Sequence, residues 1–209
     1  LKKLLQQWKT DKALMLAYQA GSTAAFEVLY QRHKDKLFGF LYRSCQDASL
    51  VEDIAHEAWL AVIDRAESYN PSAQFNTWLY RIANNKLIDH WRKQRVREDY
   101  QQANKVEQLQ ADQSEMSLLE VQALAQQAME HLNALPLSQK QAFLLRELGF
   151  SLAEIADIQE VEPEAVKSRL RYASKKLRQL LSQNQGQQQG QELNQESGAH
   201  QTGGKHEAQ

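Results

Sequence analysis

Residues 75–95 read FNTWLYRIANNKLIDHWRKQR, and the class of fold follows from this stretch. It contains neither Gly nor Pro, and projecting it at 100° per residue places Leu79, Ala83 and Leu87 on one seam. Trp78, Arg81, Asn85 and Arg92 fall together in a sector well away from that seam. The stretch is therefore a helix that packs on one side and groups an aromatic ring with polar and cationic donors on another. A base flipped from a melted strand needs a flat π-face, polar groups for its Watson–Crick edge and cations along the phosphates. Stacking supplies about 1–3 kcal/mol per base, comparable to the cost of unstacking one, so such a surface holds a locally opened duplex without ATP. The competing reading of Trp78 is an ordinary core aromatic, since large rings are usually buried.

The helical period continues on both sides of this stretch. Ala13, Leu14, Leu16 and Ala17 open a first helix, Gly21-Ser22 breaks it, and Ala25, Phe26, Leu29 and Tyr30 resume the pattern. A helix from about Leu50 to Ala66 carries Val51, Ile54, Ala55, Ala58 and Val62 on one face, with Glu52, Asp53, His56 and Glu57 toward the other. Asn70-Pro71-Ser72 separates it from the helix of residues 75–97. The chain has only eight Gly and three Pro, so residues 1–180 carry little turn punctuation. An all-α fold of two small helical domains on a flexible linker is expected.

Residues 98–117, rich in Gln and acids, read as that linker. Beyond it, Leu118, Val121, Leu124, Ala128 and Leu132 have helical spacing, and Pro136 ends the run. Ser138 with Gln141 and Ser151 with Glu154 have capping-box spacing, each marking a helix start. The segment SLAEIA from Ser151 opens a short helix, and Pro163 suits the first turn of another that reaches about Leu181. This is helix-turn-helix spacing within a four-helix module over residues 118–182. The second helix buries Ala165, Val166, Leu170, Ala173 and Leu177 while presenting Lys167, Ser168, Arg171 and Lys175, a composition suited to a major groove. Arg171 could donate to guanine edges and the lysines to phosphates; a plain solvated face is the alternative. Residues 183–209, rich in Gln and Gly with Leu193 the only large aliphatic side chain, should form a disordered tail.

Net charge is −1 and the isoelectric point is near 6.7, yet partners respond to local fields. Arg81, Lys86, Arg92, Lys93, Arg95 and Arg97 stand against the single acid Asp89, and no acid interrupts the bases between Lys167 and Arg178. Between these clusters the stretch from Glu98 to Glu130 carries seven acids against one base, Lys105, so the chain reads basic, acidic, basic. Two anionic contacts separated by a spacer fit that order.

The single cysteine, Cys45, excludes an internal disulfide and fits a reducing compartment; its expected role is packing. No apolar run has the length of a membrane span, and the first ten residues, LKKLLQQWKT, are too short in apolar character for a signal peptide. A cytoplasmic location is expected. An enzymatic reading would start from His56-Glu57-Ala58-Trp59-Leu60, but Leu60 occupies the position of the second zinc-binding His of an HExxH site. Neither a phosphate-binding glycine loop nor a nucleophile elbow occurs elsewhere, so no catalytic residue, metal or cofactor is expected.

Four segments, AFEVLYQRHKDKLFGFLYR from Ala25, VEDIAHEAWLAVI from Val51, the stretch from Phe75 quoted above, and SLAEIADIQEVEPEAVKSRLRYASKKLR from Ser151, resemble in order the signatures of extracytoplasmic-function sigma factors. The resemblance covers about residues 11–182. It implies that residues 11–97, after an extension of residues 1–10, form region 2, and that residues 118–182 form region 4. By that resemblance Glu52, Asp53, His56 and Glu57 contact the clamp helices of the β′ subunit of core RNA polymerase. Residues 68–74 and the following helix would melt and hold the −10 element, through Trp78, Tyr80, Arg81 and Asn85 with Arg92 and Lys93 beside them. The −35 duplex would be read by Lys167, Ser168, Arg169, Arg171, Tyr172 and Lys175. An anti-sigma factor is a further implied partner. Glu160 stands where the family usually has a turn glycine, and Tyr172 where many members carry a base. The rival function is a helix-turn-helix regulator that binds duplex DNA without polymerase.

Overall fold

A computed structural model of the chain describes residues 9–101 and 119–199, with side chains described over residues 9–94 and 126–182. The extension up to residue 8, most of the expected linker and the tail from residue 200 lie outside the described residues, as do the side chains of Val121 and Leu124. Every regular element among the described residues is helical. The order is α1 (Asp11–Gln19), α2 (Thr23–Cys45), α3 (Ala48–Asp64), a 3₁₀ turn (Ala66–Ser68), α4 (Phe75–Gln101), α5 (Leu119–Asn133), α6 (Leu137–Glu147), α7 (Leu152–Gln159) and α8 (Pro163–Ala199). No helix among them is long and apolar enough to cross a membrane.

Local chemistry sets the boundaries of the first domain, α1 to α4. Thr10 caps α1 by accepting from the Ala13 amide, and Asp47 caps α3 by accepting from the Leu50 amide. Gly21 takes φ +92° between α1 and α2, a conformation that side-chain-bearing residues seldom adopt. Leu14, Leu29, Leu37, Phe40, Val51, Ile54, Leu79, Ala83 and Leu87 are buried together, so the seam read from residues 75–95 faces the core. Asp11, in the first turn of α1, accepts from Arg32 and pairs with His33 of α2 at 2.8 Å. Burial pushes the Asp11 carboxyl up, but the His33 and Arg32 contacts outweigh it and hold the group below its ordinary value.

In the second domain, α5 to α8, only one of the two expected capping boxes forms. Ser151 Oγ accepts from the Glu154 amide at 3.3 Å, and Glu154 Oε2 accepts from the Ser151 amide at 2.8 Å. Ser138 caps nothing, because Pro136 takes the N-cap position and α6 has begun by Leu137; Gln141 lies buried inside that helix instead. Gly149 (φ +92°) turns the chain between α6 and α7, and α8 starts at Pro163 as its fixed φ favours. The backbone of α8 continues to Ala199, beyond the point where an ordered segment was expected, since Gln is among the better helix formers.

The two domains are in contact rather than apart. α4 packs on α7 and α2 on α6, and one buried cluster runs from Leu14 of the first domain to Val166 of the second. Asn133 links the two sides, donating to Gln46 Oε1 at 2.7 Å while accepting from the Lys140 ammonium at 3.1 Å. Burial lowers the Lys140 pKa from its ordinary value.

Candidate nucleic-acid interface

α3 buries Val51, Ile54, Ala58 and Val62 and leaves Glu52, Asp53, His56 and Glu57 exposed. Glu57 is not without a cation: Lys86 of α4 donates to its Oε2 at 2.9 Å. That hydrogen bond holds the carboxyl below its ordinary value against the opposing effect of burial, helped by the charges of Lys86, Lys93 and His90. Leu60 and Ile63 are also exposed, at 45% and 42%. Neither was assigned to this face from the sequence, although helical projection places both in the sector of Asp53 and His56. The face is acidic with an apolar extension.

The residues grouped on α4 divide by environment. Trp78 is half-buried beside Tyr69 (ring centroids 5.2 Å apart) and Phe75 (6.2 Å), so it is partly core and partly available. Tyr80 is 1% exposed, set between Phe40 and Phe150 at 5.3 and 4.9 Å, and burial raises its phenol above the ordinary value. Expected to touch DNA, Tyr80 in this arrangement packs between the two domains, because its position on α4 faces α2 and the chain before α7. Arg81, Arg92 and Lys93 are exposed, Arg92 pairing with Asp89 at 3.2 Å.

The loop before α4 is built from its own side chains and from α1. Tyr69 donates its hydroxyl to the Ala73 carbonyl at 2.7 Å, Asn70 Oδ1 accepts from the Ser72 amide, and Gln19 donates to the carbonyls of Ala66 and Tyr69. Asn70, Ser72, Ala73 and Gln74 remain exposed at its tip.

A neighbouring strip of α4 meets the helix-turn-helix. Thr77 donates to Glu154 Oε1 at 3.3 Å, Asn84 to the Ile158 carbonyl at 3.2 Å and Asn85 to Glu160 Oε1 at 3.2 Å. Arg81 shares a cleft of about 440 Å³ with Asp157, Glu160 and Glu162. Glu160 is in the left-handed region at φ 52° and ψ 49°, its amide donating to the Ala156 carbonyl. That conformation costs a residue with a side chain about 1–2 kcal/mol relative to right-handed helix. At the turn of the helix-turn-helix Glu160 thus takes a conformation that glycine reaches without strain.

On α8, Lys167, Ser168, Arg171, Tyr172 and Lys175 are exposed while Val166 and Ala173 are buried. Lys167 pairs with Glu164 at 2.6 Å, and the Arg171 guanidinium carbon lies 5.3 Å from the centre of the Tyr172 ring. Arg169 departs from the set: half-buried, it donates to Gln159 Oε1 at 2.7 Å, and buried Gln159 donates in turn to the Ser138 carbonyl. It braces α8 against α7 and α6.

The chain matches two family models, sigma-70 region 2 over residues 29–97 and sigma-70 region 4 over residues 125–177. It is 31% identical over 174 residues to the RNA polymerase sigma factor CarQ of Myxococcus xanthus, covering 81% of this chain and 96% of that one. The ECF RNA polymerase sigma-E factor of Haemophilus influenzae is 29% identical over 173 residues, 77% of this chain and 89% of that protein. Among solved structures, CnrH in complex with the cytosolic domain of CnrY superimposes with a TM-score of 0.64 at 22% identity, covering 83% of this chain and 98% of that one. The sigma factor RpoE of Bartonella quintana, solved with the anti-sigma factor NepR, gives 0.63 at 21% identity, covering 75% and 96%. These two likenesses concern the fold.

Proposed function

The chain belongs to the extracytoplasmic-function family of RNA polymerase sigma factors, and from that premise we propose that it binds core polymerase, recognises −10 and −35 promoter elements and promotes strand opening. The observation that carries this reading is the placement of three faces. The acidic face of α3, with Glu52, Asp53, His56 and Glu57 exposed, lies next to the basic helix α4, while a second basic face lies on α8 of the other domain. The first suits the clamp helices of the β′ subunit. α4, with Trp78, Arg81, Asn85, Arg92 and Lys93, suits a melted strand, because a partly exposed ring and cations share one helix. Exposed Lys167, Ser168, Arg171, Tyr172 and Lys175 suit a duplex groove. Binding energy then drives the opening, and the protein works in the cytoplasm, where its polymerase is. CnrH and the Bartonella RpoE were both solved with partner proteins, the latter's named an anti-sigma factor, which supports an inhibitor of that class here.

Run-off transcription with core polymerase, with and without the purified chain, tests the proposal over genomic templates. A discrete transcript that depends on the chain is expected. No such transcript, together with sequence-specific duplex binding in the absence of polymerase, would establish the helix-turn-helix regulator instead.

A further inference from the structure

The carboxyl end of α2, the middle of α4 and the start of α6 do not close completely on one another. They leave a cavity of about 690 Å³ that no role assigned so far explains. Its size is that of a small-molecule site, for which about 300–1,000 Å³ is usual. Ile88 and Trp91 of α4, with Leu135 and Leu137 at the start of α6, supply apolar wall. The charged side chains on that wall are of one sign: Lys140 and Arg92 are cations, and no carboxylate lines the cavity. Lys140 is buried, and of the three donors an ammonium carries Asn133 takes one at 3.1 Å. Burying a cation without an opposite charge is costly, and this burial is what lowers the Lys140 pKa. Arg92 pairs with Asp89, but both side chains of that pair are largely exposed, so solvent screens it. The indole Nε1 of Trp91 is shielded from solvent and has no acceptor among the described residues. An apolar room with a buried, unneutralised ammonium and an unmet donor calls for an oxygen anion on an apolar body.

We propose that this cavity binds a small amphipathic carboxylate, its apolar body against Trp91, Ile88 and Leu137 and its carboxylate taken by Lys140 and Arg92. A carboxylate accepts from several donors at once, so it engages the ammonium without displacing Asn133. One buried cation balances one negative charge, whereas a phosphate monoester brings nearly two. A neutral molecule of the same shape forfeits the ionic interaction, and a cation is repelled. Selectivity is therefore for single negative charge on an apolar chain or ring. The wall combines α2 and α4 of the first domain with α6 of the second, so the bound molecule touches both and stabilises the folded chain by mass action. The site needs neither nucleic acid nor polymerase, and the inference stands apart from the function proposed above.

The test uses the full chain with decanoate as the probe, kept below the concentration at which it forms micelles. Decanol and decylammonium are the controls of equal chain length. Titration calorimetry measures affinity, and alkylation by N-ethylmaleimide followed by intact mass reports occupancy, because Cys45 lies on the cavity wall and is the only cysteine of the chain. Decanoate is expected to bind saturably, to slow the alkylation of Cys45, and to bind about tenfold more tightly than decanol or decylammonium. Lys140→Met keeps the apolar stem without the charge and should weaken decanoate about tenfold. Arg92→Gln changes an exposed side chain, leaves the core untouched and should weaken decanoate about threefold. Absence of saturable binding, or alkylation of Cys45 that decanoate does not slow, overturns the site. Equal affinity for decanol or decylammonium overturns recognition of the carboxylate, as does undiminished decanoate affinity in both variants. Should Lys140→Met fail to fold, the two control ligands and Arg92→Gln decide the matter by the same criteria.

Discussion

Asn84 of α4 donates its side-chain amide to the main-chain carbonyl of Ile158 in α7 across 3.2 Å, fully buried, with its own Oδ1 lacking a partner among the described residues. A buried amide with one satisfied end is costly in a core, and here it marks the seam between two domains. Asn84→Asp would oppose a carboxylate to the Ile158 carbonyl and replace a donor by an acceptor. Thermal unfolding should show a loss of about 1–3 kcal/mol, and limited proteolysis should detect easier separation of the domains.

The capping box of α7 is a local device. Ser151→Ala removes the acceptor for the Glu154 amide and should lower stability by about 1 kcal/mol. Glu154 also accepts from Thr77, so Glu154→Ala should cost more than Ser151→Ala in the same denaturant titration.

Asp11 makes acid stability predictable in sign. Its folded carboxyl lies below the ordinary value of 3.8, since His33 and Arg32 outweigh the effect of burial. The stabilisation is therefore complete above the unfolded value and is lost as pH falls through the folded one. Asp11→Asn should destabilise the chain by about 1–3 kcal/mol at neutral pH, with the gap to wild type closing below about pH 4. Denaturant melts at a series of pH values measure the gap.

The acidic face of α3 should be separable from the fold. Replacing Asp53 and Glu57 by Arg should abolish binding to core polymerase, measured by co-sedimentation, while circular dichroism stays unchanged because both side chains are exposed. Lys86→Ala should let the Glu57 carboxyl titrate closer to its ordinary value in an NMR pH series.

Two cations of α8 should behave differently. Arg169→Ala removes the brace on Gln159 and should lower the melting temperature. Lys175→Ala should leave stability within about 0.5 kcal/mol and reduce the salt dependence of duplex binding by about one counterion.

Local and periodic features follow from the order of the amino acids alone. Leu79, Ala83 and Leu87 form a packing seam because α-helical geometry returns them to one side, and Ser151 with Glu154 can close a box within four residues, whereas the same spacing at Ser138 and Gln141 closes none. The all-α class, the two basic clusters and the helix-turn-helix were legible for the same reason. Which polar groups pair within the molecule depends on where each helix begins and on how the helices pack. Ser138 lost its capping role to Pro136; Tyr80, read as a DNA contact, was needed between Phe40 and Phe150; and Arg169 was needed by Gln159. Glu57 acquired Lys86, and Asn85 acquired Glu160. Most of these pairings join residues far apart along the chain, where helical projection assigns a direction but no distance. Hydrogen bonds and ion pairs act over a few ångströms, so only the packing of α4 on α3 and α7 could settle which side chains meet.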